Sequence, residues 1–240
     1  YIKMKTIALI KKLEEYPVFN LKTLKQIIEK DSNYAKLVLY RLKKYKLIFE
    51  IEKNKYTVNE DPIIAASNII WPCYISFWSA LRYYNLTEQL PHAIGVITTR
   101  TRKKREINFD NTKIIFTKIK PKYFFGYKKE MYQNFNIFIA DKEKALIDSA
   151  LFKKISFSEI CSIITNNIKD IDKELLISYL VKIRNKALAK RFGFLLDKLG
   201  INKFKELKKL INYKYVPLDY SLKAKGEKNK QWKVINNVGH

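Results

Sequence analysis

Glycine, proline, cysteine and histidine are all scarce in this sequence. Its 240 residues include six glycines, six prolines, two cysteines and two histidines. The glycines are not spaced as in a phosphate-binding loop, which argues against a P-loop nucleotide site. Cys73 and Cys161 are too few for a disulfide framework and too far apart in sequence for a metal knuckle, which fits a reduced cytoplasmic protein. His92, the single interior histidine, lacks a partner pattern for a metal site or a catalytic triad.

Acidic residues are also scarce, and long apolar runs are missing. There are 23 Asp and Glu against 48 Lys and Arg, a formal net charge of +25. Such a surplus repels itself unless a polyanion neutralises it, and nucleic acid is the usual partner. No uninterrupted apolar stretch approaches the roughly 18 residues that a membrane span needs. We therefore expect a nucleic-acid-binding protein without a membrane segment.

The first 58 residues predict three helices followed by a β-hairpin. Pro17 ends the first helix, Asn20 fits the N-cap of the second, and Ser32 is the expected cap of the third. Residues 47–52 and 55–58 alternate as strands around a turn at Lys53-Asn54, where Asn tolerates the left-handed conformation. Helical spacing puts four apolar residues on the buried face of the third helix: Ala35, Val38, Leu39 and Leu42.

Three helices and a hairpin in this order predict a winged helix-turn-helix, whose third helix enters the major groove of DNA. The alternative is a helical hairpin with an exposed basic face that does not bind DNA. The residues expected to contact DNA lie on the outer face of the third helix, on its edge and at the hairpin tip: Ser32, Asn33, Lys36, Leu37, Tyr40, Arg41, Lys44, Lys53, Asn54 and Lys55.

The remainder of the chain predicts a mixed α/β domain with a helical C-terminal part, so the fold class is α+β. Asp61-Pro62 opens a linking helix, which divides the chain into domains 1–60 and 61–240. A helix is expected from Tyr74 to the residues before Pro91. Strands are expected at 94–98, 107–109, 113–118, 123–127 and 135–139, followed by helices from residue 156 onward.

Two groups of charged residues in the second domain could carry chemistry. One is a basic run that either contacts phosphate or RNA or is a solvated loop, with Arg100 alternatively paired to an acid: Arg100, Arg102, Lys103, Lys104 and Arg105. The other includes Asp110, Asp141 and Glu143. Its spacing does not fit a divalent-metal nuclease, and Asp141 is better explained as a helix N-cap. We expect no catalysis, no metal and no cofactor.

Several motifs occur in an order that resembles a known family. They are Tyr74-Ile75-Ser76 to Thr87-Glu88-Gln89, Thr98-Thr99-Arg100, Phe124-Phe125-Gly126-Tyr127, and Ala140-Asp141-Lys142-Glu143-Lys144-Ala145-Leu146-Ile147-Asp148. Together they resemble the AbiEi-type antitoxins of abortive-infection (type IV) toxin–antitoxin systems, over nearly the whole chain. Trp232 and Asn236 match a terminal strand that folds back onto the second domain in that family.

The resemblance implies a function in two parts. The protein would repress its own operon by binding promoter repeats in double-stranded DNA, and would counteract a nucleotidyltransferase-type toxin without forming a stable complex with it. Two alternatives stay open. One is a winged-helix transcriptional regulator whose second domain senses a ligand or dimerises, and the other is a nucleic-acid-processing enzyme.

Overall fold

The computed structural model describes residues 2–238, with side chains from residue 6 onward. Helices and strands are both abundant, which confirms the predicted α+β class. The chain forms two compact units. The first contains the residues up to Ile75 together with His92–Phe124 and Lys129–Ile139, and the second contains Ser76–Pro91, Phe125–Lys128 and the residues from Ala140 onward.

The first unit begins with helices α1 to α3 and a hairpin, and continues into a six-stranded sheet. Its elements are α1 (Ile2–Leu13), α2 (Leu21–Ile28), α3 (Ser32–Lys44), β1 (Phe49–Glu52), β2 (Lys55–Thr57), α4 (Pro62–Asn68), β3 (Cys73–Ser76), β4 (Ala93–Thr98), β5 (Glu106–Phe109), β6 (Thr112–Lys118), β7 (Tyr127–Tyr132) and β8 (Phe135–Ala140). The end residues Ser76, Tyr127, Lys128 and Ala140 of three of these strands are counted with the second unit. The strand order is β5-β6-β4-β3-β8-β7, in which β4 pairs parallel to β6 and β3 pairs parallel to β8.

The second unit is mainly helical. Its elements are α5 (Phe77–Tyr83), α6 (Lys142–Leu151), α7 (Phe157–Asn166), α8 (Lys173–Ile183), α9 (Lys186–Lys198), α10 (Phe204–Leu207), β9 (Val216–Pro217), β10 (Glu227–Asn229) and β11 (Val234–Asn236). Trp232 is fully buried against Gly193 of α9, where an added Cβ would lie 2.1 Å from the indole ring. The strand expected near Trp232 and Asn236 is therefore present as β11, pinned by a contact that only glycine permits.

The structure corrects two predicted elements. Residues 73–76 form a buried strand, and the helix predicted from Tyr74 to the residues before Pro91 spans only Phe77–Tyr83. Periodicity alone does not separate a short buried strand from a helix, and Ile75 pairs with Ile139 in the sheet. The strand predicted at 123–127 begins at Tyr127, because Pro121 opens a 3₁₀ turn and Gly126 has a φ of +70°.

The contact units do not divide at residue 60. Glu52 of the hairpin pairs with Arg102, and Asp61 accepts hydrogen bonds from Tyr132 and Gln133, all inside the first unit. The predicted 1–60 segment therefore belongs to the same compact unit as the six-stranded sheet. Arg102, which lies beyond residue 60 in the sequence, bonds to Glu52 within this segment. The division into domains 1–60 and 61–240 stays a prediction.

Candidate nucleic-acid interface

The first three helices and the hairpin share one apolar core. Seven buried residues form it: Leu13, Phe19, Leu24, Leu39, Leu42, Ile48 and Tyr56. The backbones of Phe19 and Tyr56 exchange two hydrogen bonds of 2.8 Å, so the segment before α2 adds a bridge to the hairpin. The sequence did not reveal this bridge, since a single residue pair leaves no periodic pattern.

Helix α3 has the predicted buried face. Ala35, Leu39 and Leu42 are buried, and Val38 is partly buried against the same core. These positions recur at helical spacing, and their burial fixes which side of α3 faces outward. The core therefore holds the other side of α3 outward.

The outward face of α3 carries one continuous row of side chains. Asn33, Leu37, Tyr40 and Lys44 follow the i, i+4, i+7, i+11 spacing, and all four are exposed. Leu37 retains 43% and Tyr40 64% of its accessible surface. Two further exposed cations flank this row, and α3 contains no acidic residue: the flanking cations are Lys36 and Arg41. We call these six residues the α3 face.

The N-terminus of α3 is capped by Asp31, which corrects the expectation that Ser32 is the cap. The Asp31 carboxylate accepts hydrogen bonds from the backbone N–H groups of Tyr34 at 3.0 Å and Asn33 at 2.7 Å. Both hydrogen bonds lower the pKa of Asp31, and the bond from Tyr34 has the larger effect. The Asp31 carboxylate lies two and three residues before these N–H groups, as in an ordinary N-cap. Ser32 is therefore the first residue of the helix, and it is exposed.

The hairpin tip is anchored to α2. Asn54 has a left-handed φ of +61°, as predicted for the turn. Its Oδ1 accepts a hydrogen bond of 3.1 Å from the backbone N–H of Leu21, the first residue of α2. Asn54 therefore holds the tip in place, while the neighbouring Lys53 is exposed.

Two lysines of this region form ion pairs or hydrogen bonds with other residues of the protein. Lys55 donates to the carbonyl of Ile69 and lies 2.8 Å from a Glu52 carboxylate oxygen. Lys43 pairs with Glu50, and this hydrogen bond raises the pKa of Lys43. Of the predicted contact residues, Lys55 thus serves the hairpin itself, and the pair that joins α3 to β1 was missed because Lys43 and Glu50 lie in different elements.

In the basic run of the second predicted domain, Arg102 has a structural role, and Lys103, Lys104 and Arg105 are exposed. The Arg102 guanidinium lies 3.9 Å from the Phe116 ring centroid and 2.5 Å from a Glu52 carboxylate oxygen. Burial raises the pKa of Glu52, but hydrogen bonds from Lys55 and Arg102 outweigh this and lower it. Arg102 therefore fastens the hairpin to the sheet.

Arg100 has a different partner from the acid that was considered for it. Its Nε lies 3.4 Å from the Trp71 carbonyl, so the partner that the structure shows is a backbone oxygen. Lys103, Lys104 and Arg105 are exposed. Since Arg102 next to them bonds to β1, the structure brings this exposed group to the side of the hairpin, within the first unit.

The remaining motif residues serve the fold of the second unit. Asp141 caps α6 and accepts a 2.7 Å hydrogen bond from the Tyr179 hydroxyl. Glu143 accepts from the backbone N–H of Asp172 at 2.7 Å, and burial raises its pKa. Asp148 pairs with Lys144 and also accepts a 3.1 Å hydrogen bond from the Ser76 hydroxyl.

Candidate metal ligands do not converge in the part of the chain that the structure describes. Asp110 is exposed in the turn between β5 and β6, and among residues 2–238 no three His, Cys, Asp or Glu side chains form a group that could hold a metal ion. Burial raises the pKa of the Cys73 and Cys161 thiols to about 12. Among the same described residues, no helix combines the length and apolar character that crossing a membrane requires.

Comparison with known proteins shows a similar fold in one solved structure and gives no information about function. No protein-family model and no curated protein sequence matches this chain. Among solved structures, the chain is similar to the RV2827C protein from Mycobacterium tuberculosis, with a TM-score of 0.62 and 11% sequence identity. The match covers 94% of this chain and 88% of that protein. At this identity, the likeness concerns the arrangement of the backbone alone.

Proposed function

We propose that this protein is a DNA-binding regulator whose α1 to α3 and β1–β2 hairpin act as a winged helix-turn-helix. The observation that carries the proposal is the α3 face, an exposed row with flanking cations and no acid, held outward by a shared core. Helix α3 has 13 residues and therefore spans about 20 Å, at about 1.5 Å per residue. The major groove, about 12 Å wide, admits a helix of this kind.

The hairpin and the basic run supply a second line of contact in the proposal. Lys53 at the tip would contact phosphate, with Asn54 acting through the position of the turn. Lys103, Lys104 and Arg105 would add phosphate contacts beside the hairpin, since Arg102 bonds to Glu52. Phosphate contacts set the register of a protein on the duplex without reading its sequence.

The antitoxin part of the proposal rests on the resemblance to AbiEi-type antitoxins. In it, the protein represses its own operon through promoter repeats and counteracts a nucleotidyltransferase-type toxin encoded beside it. The two proteins would act in the cytoplasm without a stable complex. The protein would need no catalytic residue and no cofactor for either activity.

One observation favours the alternative of a ligand-sensing second part. A half-open cleft of about 350 Å³ in the second unit reaches the lower end of the size range of small-molecule sites. Its lining combines apolar side chains with Lys198, Thr165 and Asn236. A regulator that responds to a small molecule would retain the DNA-binding part of the proposal and replace the antitoxin part.

The test of DNA binding is a gel-shift titration of the full chain on the duplex upstream of its own gene. The Asn33→Ala, Tyr40→Ala, Lys44→Ala triple variant should bind much more weakly, because three residues of the α3 face are removed. Lys208→Ala removes an exposed lysine of the second unit and serves as the control. Equal affinity of the triple variant and the parent would refute the assignment of α3.

The antitoxin activity needs a separate test in cells. The full chain is co-expressed with the neighbouring gene, and growth is compared with cells that carry either gene alone. Rescue of growth supports the antitoxin proposal. Absence of a toxic neighbour, with DNA binding intact, would favour the ligand-sensing regulator instead.

A further inference from the structure

The middle of the α3 face is apolar, which is unusual for a surface that meets only phosphate. Leu37 and Tyr40 occupy the two central positions of the exposed row, with 43% and 64% of their surface accessible. Asn33 stands before them and Lys44 after them. A single exposed leucine is ordinary on a protein surface, but here it lies on the line that faces away from the core.

We propose that α3 reads A·T base pairs, with Leu37 packing on a thymine methyl group and Asn33 pairing with an adenine. This inference rests on the proposed DNA binding, and it names the base pairs that the same face selects. The reasons come from the chemistry of the groove, the positions along the helix and the placement of the charges.

The chemistry of the groove matches the two side chains. The C5-methyl group of thymine is the apolar group that base pairs present in the major groove, and aliphatic side chains pack on it. An Asn amide fits the N6–H₂ donor and N7 acceptor of adenine. Reading cytosine would use Asp or Glu, and α3 has neither; the cations that could read guanine lie at the margins and the C-terminal end of the face.

The positions along α3 put the two side chains next to each other on the outward face. Asn33 and Leu37 are four residues apart, so about 6 Å separates them along the helix axis, and both can contact base edges in the same groove. Asn33 lies in the first turn, and the N-terminal residues of a recognition helix are those that contact base edges.

The cations take the margins of the face. Lys36 and Arg41 flank the row on opposite sides, as two phosphate backbones flank a groove. Lys44 ends the row at the C-terminal end of α3. The charges therefore suit attraction to both strands, and the centre is left to side chains that contact the base edges.

The test begins with selection of tight-binding duplexes from a random pool by the full chain. We expect an A·T-rich consensus. Each thymine of the selected duplex is then replaced, one at a time, by deoxyuridine, which lacks only the methyl group. At one or two positions the affinity should fall about fourfold, the loss expected when one methyl group is no longer buried.

Variants assign the effect to residues. In Leu37→Ala, the same deoxyuridine substitution should cost nothing further, since the methyl has lost its partner. In Asn33→Ala, replacement of the paired adenine by 7-deazaadenine should likewise cost nothing further. Leu222→Ala, which changes a leucine of similar exposure at 48%, should keep the full sensitivity.

The outcomes separate this inference from the proposed function. Failure to enrich any duplex would refute DNA binding itself. Enrichment with no thymine sensitive to deoxyuridine, or equal sensitivity in Leu37→Ala and the parent, would overturn the thymine contact while DNA binding stands. A Leu37→Ala variant that changes only the oligomeric state would show that the apolar centre meets protein instead, which also overturns it.

Discussion

Helices α3 and α6 both carry several charged residues, but those of α3 are mostly exposed and several of those of α6 are buried. The cations Lys36, Arg41 and Lys44 of α3 are exposed. In α6, Lys144 and Asp148 have no accessible surface, and Glu143 retains 4%. Exposed charges are available to a partner, whereas buried ones must be satisfied inside the fold. The comparison separates residues that we expect to act on a ligand from residues that hold the structure.

The difference also bears on two of the motifs that resemble AbiEi-type antitoxins. The Ala140 to Asp148 motif supplies an N-cap, a buried ion pair and a carboxylate that accepts a backbone N–H. Gly126 has a left-handed φ, and an added Cβ would lie 2.9 Å from Tyr179. These residues serve the internal contacts of the second unit. The residues expected to recognise DNA lie outside these motifs.

The largest expected effect is the loss of stability when the buried ion pair of α6 is broken. Asp148→Ala should lower the free energy of unfolding by about 3–5 kcal/mol, because it leaves the Lys144 ammonium buried without its carboxylate. Chemical denaturation measures it. The double change Lys144→Met with Asp148→Leu should recover most of the loss. A stability loss below about 1 kcal/mol in Asp148→Ala would contradict the assignment.

The next effect tests the exposed side through salt. If about six phosphates are contacted, the affinity for duplex DNA should fall on the order of a thousandfold between 50 and 200 mM salt, because binding releases counterions. Fluorescence anisotropy at several salt concentrations gives the slope. A nearly flat titration would mean that the exposed lysines are solvated surface.

Arg102 and Lys103 sharpen the comparison within one segment. Arg102→Ala should destabilise the protein by roughly 1.5–3 kcal/mol, the range for hydrogen bonds to charged groups, since it packs on Phe116 and pairs with Glu52. Lys103→Ala should change stability by less than about 0.5 kcal/mol. Thermal unfolding of both variants decides this, and equal losses would remove the distinction between them.

Asp219 gives the pH dependence of the second unit. Burial raises its pKa, but hydrogen bonds from Ser158 and Ser221 outweigh this and lower it to about 2. A lowered carboxyl pKa contributes stability above about pH 4 that is lost as the pH falls toward 2. Ser221→Ala should weaken this contribution, with a smaller effect than the changes above. Unfolding midpoints measured from pH 5 to pH 2 should show a shallower acid decline in the variant, and an unchanged decline would contradict this role.

Much of the fold was predictable because its signals are local. The Asn20 and Asp141 caps and the strands at 94–98, 113–118 and 135–139 follow from capping chemistry and alternation. The strand at Cys73–Ser76 was missed, because its place between β4 and β8 is a tertiary fact. Helix spacing and a buried apolar run look alike over four residues.

The candidate site was predictable in outline only. Helical periodicity alone assigned Asn33, Leu37, Tyr40 and Lys44 to the outer face, and all four are exposed. The engagement of Lys55 and Arg102 was not foreseeable, because each depends on a partner that folding brings close. Charge identifies a basic segment, but only packing decides which of its side chains is exposed.

The central claim is that the exposed cations Lys36, Arg41 and Lys44 of α3 act on DNA and not on the fold, and Lys44→Ala tests it most directly. On one duplex, its log–log salt slope should be smaller than that of the parent by about 0.9, the contribution of one phosphate contact. Its free energy of unfolding should stay within about 0.5 kcal/mol of the parent's. An unchanged slope at unchanged affinity, or a large stability loss, would contradict the account.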